Sequence, residues 1–185
     1  TLGANIERLV LFNGAHQGTG NDLANLINDY TNDTSGIVSL YGLGGNDTIS
    51  GSDAANYIDG GIGDDFLQGG GGNDTLLGGD GNDALQGGTG DDNLIGGGGI
   101  DTLTGGTGAD RFIFFKGDSG ATRATADLIS DFSHADGDRI DLSGLGATQL
   151  IGSNAFTGHA GEIRLDGNNV MVDINGDGFS DFHLI

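Results

Sequence analysis

The sequence predicts an all-β fold: a parallel β-roll of nonapeptide repeats, two per coil, with an N-terminal strand cap and a C-terminal β-sandwich-like cap. Three observations predict it. Between Gly42 and Ile113 the chain repeats every nine residues, eight times in a row. Every unit carries a large apolar residue at its eighth position, and six of the eight follow G-G-x-G-x-D-x-U-x, where U is that residue. Of the 40 glycines, 24 lie in this tract, so the bias belongs to the repeat and not to the chain as a whole. A tandem period of this kind fixes an architecture, because each unit can bury its apolar face only against its neighbours.

Three regions follow in order. Residues 1–41 form a capping segment with short apolar stretches (Ile6, Leu9, Val10, Leu11, Phe12; Leu23, Leu26, Ile27; Ile37, Val38, Leu40). Within it GNDLANLIN (20–28) reads like the second unit, GSDAANYID (51–59), and is taken as a decayed repeat; 29–41 is an irregular bridge. Residues 42–113 are the array. Residues 114–185 lose the period and carry strand-like segments around Leu128 and Ile129, Ile140 and Leu142, Ile163 and Leu165, Val170 to Ile174, and Phe182 and Leu184. A short helical turn is expected near 121–129. Such a region suits the end of a repeat array, whose last layer must be covered.

Within a unit, G-G-x-G-x-D is turn chemistry, since glycine tolerates positive φ and lets backbone approach backbone. The remaining x-U-x is a minimal strand with its middle side chain inward. A turn and a strand reverse the chain once, so two units close one coil of 18 residues. One sheet then stacks Ile49, Leu67, Leu85 and Leu103; the other stacks Ile58, Leu76, Leu94 and Phe112. One apolar side chain per nine residues is a thin core against the backbone entropy lost on ordering a tract that is one-third glycine. The missing stabilisation has to come from a cation held between the turns.

The charge pattern says the same. The formal net charge is -21, and no Lys or Arg occurs between Arg8 and Arg111, an interval holding 15 Asp. Such a surface repels nucleic acid and anionic membranes and attracts multivalent cations. No stretch approaches the ~20 apolar residues of a membrane span. Carboxylates and backbone carbonyls in flexible turns suit Ca²⁺, a large hard ion with six to eight oxygen ligands. Mg²⁺ wants a tighter octahedron, and Zn²⁺ wants His or Cys, which the array lacks. The expected rungs pair Asp residues one coil apart: Asp47/Asp65, Asp65/Asp83 and Asp83/Asp101 on one edge, Asp74/Asp92 and Asp92/Asp110 on the other. That makes about five sites. A sixth pair, Asn56/Asp74, lacks one charge and is expected to be weak or empty. Carbonyls of the turn glycines would complete the shells: Gly61, Gly63, Gly70, Gly72 and Gly79 in the earlier turns, and Gly81, Gly88, Gly90, Gly97 and Gly99 in the later ones.

The tandem array resembles the nonapeptide β-roll of RTX (repeats-in-toxin) exoproteins of Gram-negative bacteria. Beyond it, GADRFIFF (108–115), GDS (117–119), DLISDF (127–132), DRIDLSGLGA (138–147) and AFTGHAGEIRLD (155–166) resemble the C-terminal domain of serralysin-type metalloproteases. The resemblance implies a calcium-dependent roll, an extracellular location and export by a type I secretion apparatus. It also implies an upstream catalytic domain in the parent chain. Type I export reads an uncleaved C-terminal signal, and residues 1–20 indeed lack the basic start and apolar run of a signal peptide.

Other motifs were weighed against plainer readings. DINGDGFSD (173–181) resembles the start of an EF-hand loop, with Asp173, Asn175, Asp177 and Asp181 at ligand spacing, but the twelfth position is Leu184 instead of Glu. A polar turn between strands is the simpler reading. Asp118, Asp127, Asp131, Asp138 and Asp141 include a further candidate ion site or are turn and capping residues. GDSG (117–120) lacks its protease context, no His sits in H-E-x-x-H, and no G-K-[ST] follows the glycine runs. The sequons at Asn46 and Asn73 are by-products of the N-D-T repeat phase. No catalytic constellation is present, so the expected function is a calcium-binding module that folds outside the cell and supports secretion and folding of an attached exoenzyme. Two readings compete: a calcium-dependent polysaccharide-binding module, such as the repeat module of an alginate C5-epimerase or an adhesin, for which Arg111, Lys116, Arg123, Arg139 and Arg164 would gather on one face, and the C-terminal part of a serralysin-like zinc metalloprotease.

Overall fold

The computed structural model describes residues 1, 3, 7–12, 15–30, 37–120, 122, 124–147 and 149–185. Ile6 and Arg123, and the 31–36 part of the bridge, lie outside the described residues.

The structure is a parallel β-roll. One seven-stranded sheet runs β1 (Arg8–Leu11), β3 (Leu26–Asp29), β5 (Thr48–Ser50), β7 (Phe66–Gly71), β9 (Ala84–Thr89), β11 (Thr102–Thr107), β13 (Leu128–Ile129). The facing sheet runs β2 (Gln17–Thr19), β4 (Val38–Gly44), β6 (Asn56–Ile62), β8 (Thr75–Asp80), β10 (Asn93–Gly98), β12 (Arg111–Phe115), β14 (Arg139–Gly144). Each strand therefore pairs with the strand two further along, as two units per coil require. The register is 18 residues throughout the array: Ile49 pairs with Leu67, Leu67 with Leu85 and Leu85 with Leu103, while Ile58 pairs with Leu76, Leu76 with Leu94 and Leu94 with Phe112. All eight of these side chains are 0 % exposed and belong to one core.

The strands are longer than x-U-x. Most in the array span six residues and take in the following G-G-x, so that Gly61 pairs with Gly79 and Ile62 with Asp80. Only G-x-D remains as the corner. The bend is made by the second glycine, which sits at positive φ (+114° at Gly79) and lets the ladder continue around the edge. Added to Gly79, a Cβ would collide with the Gly61 carbonyl oxygen of the coil before. In the first unit this position is Leu43, at φ +83°, a conformation that costs a non-glycine residue about 1–2 kcal/mol.

Both sheets run past the array. Leu9 pairs with Ile27 and Ile27 with Ile49; Gly18 pairs with Leu40 and Leu40 with Ile58. Ile27 and Asn25 thus occupy the eighth and sixth positions that the decayed repeat assigns them. At the other end Leu103 pairs with Ile129 and Phe112 with Ile140. Of the segment 121–129, where a short helical turn is expected, residues 121 and 123 lie outside the described residues; among the described ones the Thr125 N–H donates to Thr122 O (2.9 Å) in a turn that leads into β13. From Leu128 the chain is strand, because Leu128 and Ile129 pair with Thr102 and Leu103 and complete the last layer of the sheet.

The C-terminal region adds a four-stranded sheet, β15 (Gln149–Gly152), β16 (Glu162–Asp166), β17 (Asn169–Asp173) and β18 (Phe182–Leu184), of which β15 lies outside the apolar segments singled out above. Val172, Phe182 and Leu184 join the same core as the roll, and Phe182 meets Phe114 edge-on with ring centroids 5.4 Å apart. No helix among the described residues is long and apolar enough to cross a membrane.

Candidate metal centre

The corners bring the sixth-position carboxylates into two rows, one along each edge of the roll. In the first row the backbone N–H of Asp47 donates to Asp65 Oδ1 (2.7 Å), that of Asp65 to Asp83 Oδ1 (2.8 Å) and that of Asp83 to Asp101 Oδ1 (2.9 Å). In the second, Asn56 donates to Asp74 Oδ1 (2.7 Å), Asp74 to Asp92 Oδ1 (2.7 Å) and Asp92 to Asp110 Oδ1 (2.9 Å). Every pair expected from the period is therefore adjacent, joined by one hydrogen bond from the earlier coil to the later.

The other carboxylate oxygen has no such partner. Oδ2 of Asp47, Asp65, Asp74, Asp83, Asp92, Asp101 and Asp110 is buried and accepts no hydrogen bond from any described residue. These residues are at most 3 % exposed. Each Oδ2 rests against the first glycine of its own unit: a Cβ on Gly60 would collide with Asp65 Oδ2 and would lie 2.7 Å from the Gly78 carbonyl oxygen. The glycine is needed because oxygen atoms fill that space. A buried, unpaired carboxylate oxygen is costly, and no Lys or Arg occurs from residue 9 to residue 110 to pair with it. The remaining counter-charge is a dissolved cation.

The electrostatics register the same conflict. Burial pushes the carboxyl of Asp74 up to about 8, those of Asp47 and Asp83 to about 7, and those of Asp65, Asp92 and Asp101 to about 6. The N–H bond from the preceding coil opposes the rise, and neighbouring carboxylates add to it. Asp110 is raised for the same reasons. Among the described residues no three His, Cys, Asp or Glu side chains come together as a ligand set. Each rung thus supplies two carboxylates, and carbonyls must supply the rest. The second and fourth glycines of the full repeats, Gly61 through Gly99 in the positions named above, all have φ between 90° and 146°. Their carbonyls face the next coil: Gly61 O lies against Gly79, Gly63 O against Gly81, Gly70 O against Gly88, Gly72 O against Gly90, Gly79 O against Gly97 and Gly81 O against Gly99. Gly88 O and Gly90 O face Gly106 and Gly108 in the same way. The gap between successive turns is lined by oxygen, and this donor set fits a hard cation such as Ca²⁺.

Asn56 departs from this pattern. Its Oδ1 accepts the Ser52 N–H (2.8 Å), its Nδ2 donates to Asp29 Oδ2 (3.4 Å), and Ser52 and Ala54 of its turn replace the positive-φ glycines. The amide satisfies itself where an aspartate leaves an orphan oxygen. Asn25, at the N-terminal end of the first row, does the same with the Asn21 N–H (2.7 Å).

The remaining candidates separate clearly. Asp118 accepts the Phe115 N–H (2.6 Å) within a turn, and its carboxyl is raised by burial. In the 173–181 loop, Asp173 takes the N–H groups of Gly176 (2.6 Å) and Gly178 (2.8 Å). Asp181 takes those of Ile174 (2.8 Å) and Asn175 (3.0 Å), and Asn175 and Asp177 cap the next residues but one. The carboxylates there bind their own turn between β17 and β18. Asp127 and Asp138 continue the two rows beyond the array: Asp101 N–H donates to Asp127 Oδ1 (2.9 Å) and Asp110 N–H to Asp138 Oδ1 (3.0 Å). Of the cations, Arg111 and Arg139 are neighbours on adjacent strands, with Arg111 paired to Asp141; Arg164 lies on β16 beside Asp166 (3.5 Å).

One set of residues went unread in the sequence. Fifth-position side chains form an exposed ladder of opposite sense: Asn46 Oδ1 accepts Asp64 N–H (3.2 Å), Asp64 Oδ1 accepts Asn82 N–H (2.8 Å) and Asn82 Oδ1 accepts Ile100 N–H (3.0 Å). Asn73, Asp91 and Ala109 repeat this on the other edge (3.0 and 2.9 Å). The signal was available, because five of the eight units carry Asn or Asp there. It makes Asn46 and Asn73 structural residues and not mere by-products of repeat phase.

Compared with known families, the chain matches the model of the RTX calcium-binding nonapeptide repeat in four copies, over residues 28–58, 41–76, 50–85 and 86–114. No curated protein matches it.

Proposed function

We propose that the RTX-type calcium-binding β-roll of residues 28–114 is a folding switch: extended where calcium is scarce, folded where it is abundant. The observation that carries this reading is the double row of buried, unpartnered Asp Oδ2 atoms. Each ion would bridge two Asp residues one coil apart, with the turn carbonyls around it: Asp47/Asp65, Asp65/Asp83 and Asp83/Asp101 on one edge, Asp74/Asp92 and Asp92/Asp110 on the other. Without ions the rows repel, and a chain of net charge -21 with few apolar residues stays open. With them, binding free energy becomes folding free energy.

Such a switch suits a secreted protein. An open chain passes a narrow export channel, and extracellular modules hold calcium with dissociation constants of about 10⁻⁴–10⁻³ M, matched to the outside of the cell. Type I secretion and an attached exoenzyme, whose folding the roll would template, complete the proposal. Far-UV circular dichroism tests it. Strand signal should appear cooperatively as calcium rises into the millimolar range and vanish on chelation. A strand spectrum unchanged by chelator would rule the switch out.

A further inference from the structure

We propose that Asp101 and Asp127 hold a calcium ion at the C-terminal end of the roll, in a site half built by a residue outside the repeats. The proposal rests on the calcium reading of the rows and extends it to the junction with the C-terminal sheet.

The two rows end differently. On the second edge Asp138 closes the row with both oxygens engaged: Oδ1 accepts the Asp110 N–H (3.0 Å) and Oδ2 the Ser133 N–H (2.7 Å). That end is a hydrogen-bonded cap and needs no ion. On the first edge Asp127 Oδ1 accepts the Asp101 N–H (2.9 Å), but Asp127 Oδ2 is buried without a partner, as is Asp101 Oδ2. Asp127 is 0 % exposed. This is the arrangement of the rungs inside the array: one N–H···Oδ1 bond and two orphan oxygens one coil apart. Burying two such unpaired carboxylate oxygens is unfavourable unless a cation is present.

The backbone of Asp127 ties this site to the end of the chain. Its N–H donates to Ser119 Oγ (2.9 Å), and Ser119 Oγ donates to the His183 carbonyl. Its carbonyl accepts the Ile185 N–H (3.0 Å), and the Ile185 carbonyl accepts the Ile129 N–H (2.9 Å). Asp127 also bridges to Leu184 of β18. An ion at Asp101/Asp127 therefore clamps the last repeat turn to the segment that receives the final strand.

The test compares calcium bound per chain at saturation in wild type, D127N and D138N. Asparagine keeps an oxygen for the Asp101 N–H in D127N; in D138N it keeps one for the Asp110 N–H and gives up the Ser133 bond, so D138N removes a charge and a cap bond at an end that holds no ion. D127N should bind one ion fewer than wild type, and D138N the same number. An unchanged count in D127N overturns the proposal while leaving the ladder standing; a wild type that binds no calcium removes both. A measurement on the wild type guards against misfolding of the variant. A paramagnetic lanthanide replacing calcium should broaden the NMR signals of Ser119 and Ile185, and sharp signals at full loading would overturn the site.

Discussion

Asp83→Asn is expected to remove two calcium ions from the folded protein and to raise the calcium concentration at half-folding about three- to eight-fold. Asp83 stands in two rungs. Its Oδ1 accepts the Asp65 N–H and its own N–H donates to Asp101 Oδ1. Asparagine preserves the first bond, and the second uses the backbone, so the hydrogen-bonded ladder survives. What disappears is the charge shared by Asp65/Asp83 and Asp83/Asp101. A charge-assisted contact is worth about 1.5–3 kcal/mol, so two rungs lose about 3–6 kcal/mol. Spread over about five ions that fold the chain together, at about 1.4 kcal/mol per tenfold, this gives the stated shift. Asn56 shows the end state within the native chain, a rung whose amide binds its own turn (Ser52 N–H, 2.8 Å) and leaves no orphan oxygen. Calcium counting and a dichroism titration of the variant check the prediction, and a midpoint equal to wild type would contradict it.

Acid should partly replace calcium. The row carboxyls titrate far above the ordinary aspartate value of about 4, with Asp74 at about 8, Asp47, Asp83 and Asp127 at about 7, and Asp65, Asp92 and Asp101 at about 6. A group whose folded value is raised binds more protons folded than unfolded. Its contribution to stability is thus fully present below about pH 4 and is lost as pH rises through the folded value. Seven such groups act in the same direction. Metal-free protein should therefore gain strand structure as pH falls from 8 to 5. Over the same range the apparent calcium affinity of the folded roll should fall, because protons and calcium compete for the same oxygens. Dichroism in chelator at pH 8, 7, 6 and 5 reads the first effect. Strand content that stays flat or falls on acidification would contradict it.

Where the period holds, sequence and structure agree closely. The eight inward residues, the 18-residue register and the pairing of Asp65 with Asp83 or Asp74 with Asp92 follow from counting, because nothing but the repeat decides them. Where the coil closes with a different number of residues, counting fails. From Asp101 to its successor Asp127 is 26 residues, and from Asp110 to Asp138 is 28. The extra residues form turns whose length the period cannot announce. Ile27 to Ile49 and Gly18 to Leu40 each take 22 residues, which puts the insertion between 28 and 38, across the segment read as an irregular bridge. The fifth-position ladder was missed for another reason: Asn and Asp there look like ordinary turn formers. Only the 18-residue stacking brings Asn46 Oδ1 to the Asp64 N–H. The asymmetric ends of the rows depend on Ser133, which reaches Asp138 Oδ2 and has no counterpart at Asp127.

The radius of gyration in solution, measured by small-angle scattering in chelator and in millimolar calcium, decides whether the roll exists without its ions. For 185 residues an unfolded chain has a radius of about 46 Å and a compact one about 16 Å. The double row of orphan carboxylates predicts a value near the first in chelator at neutral pH and a collapse toward the second as calcium is added. A chain that stays near about 16 Å after all calcium is removed would show that the thin core and the backbone ladder hold the roll by themselves.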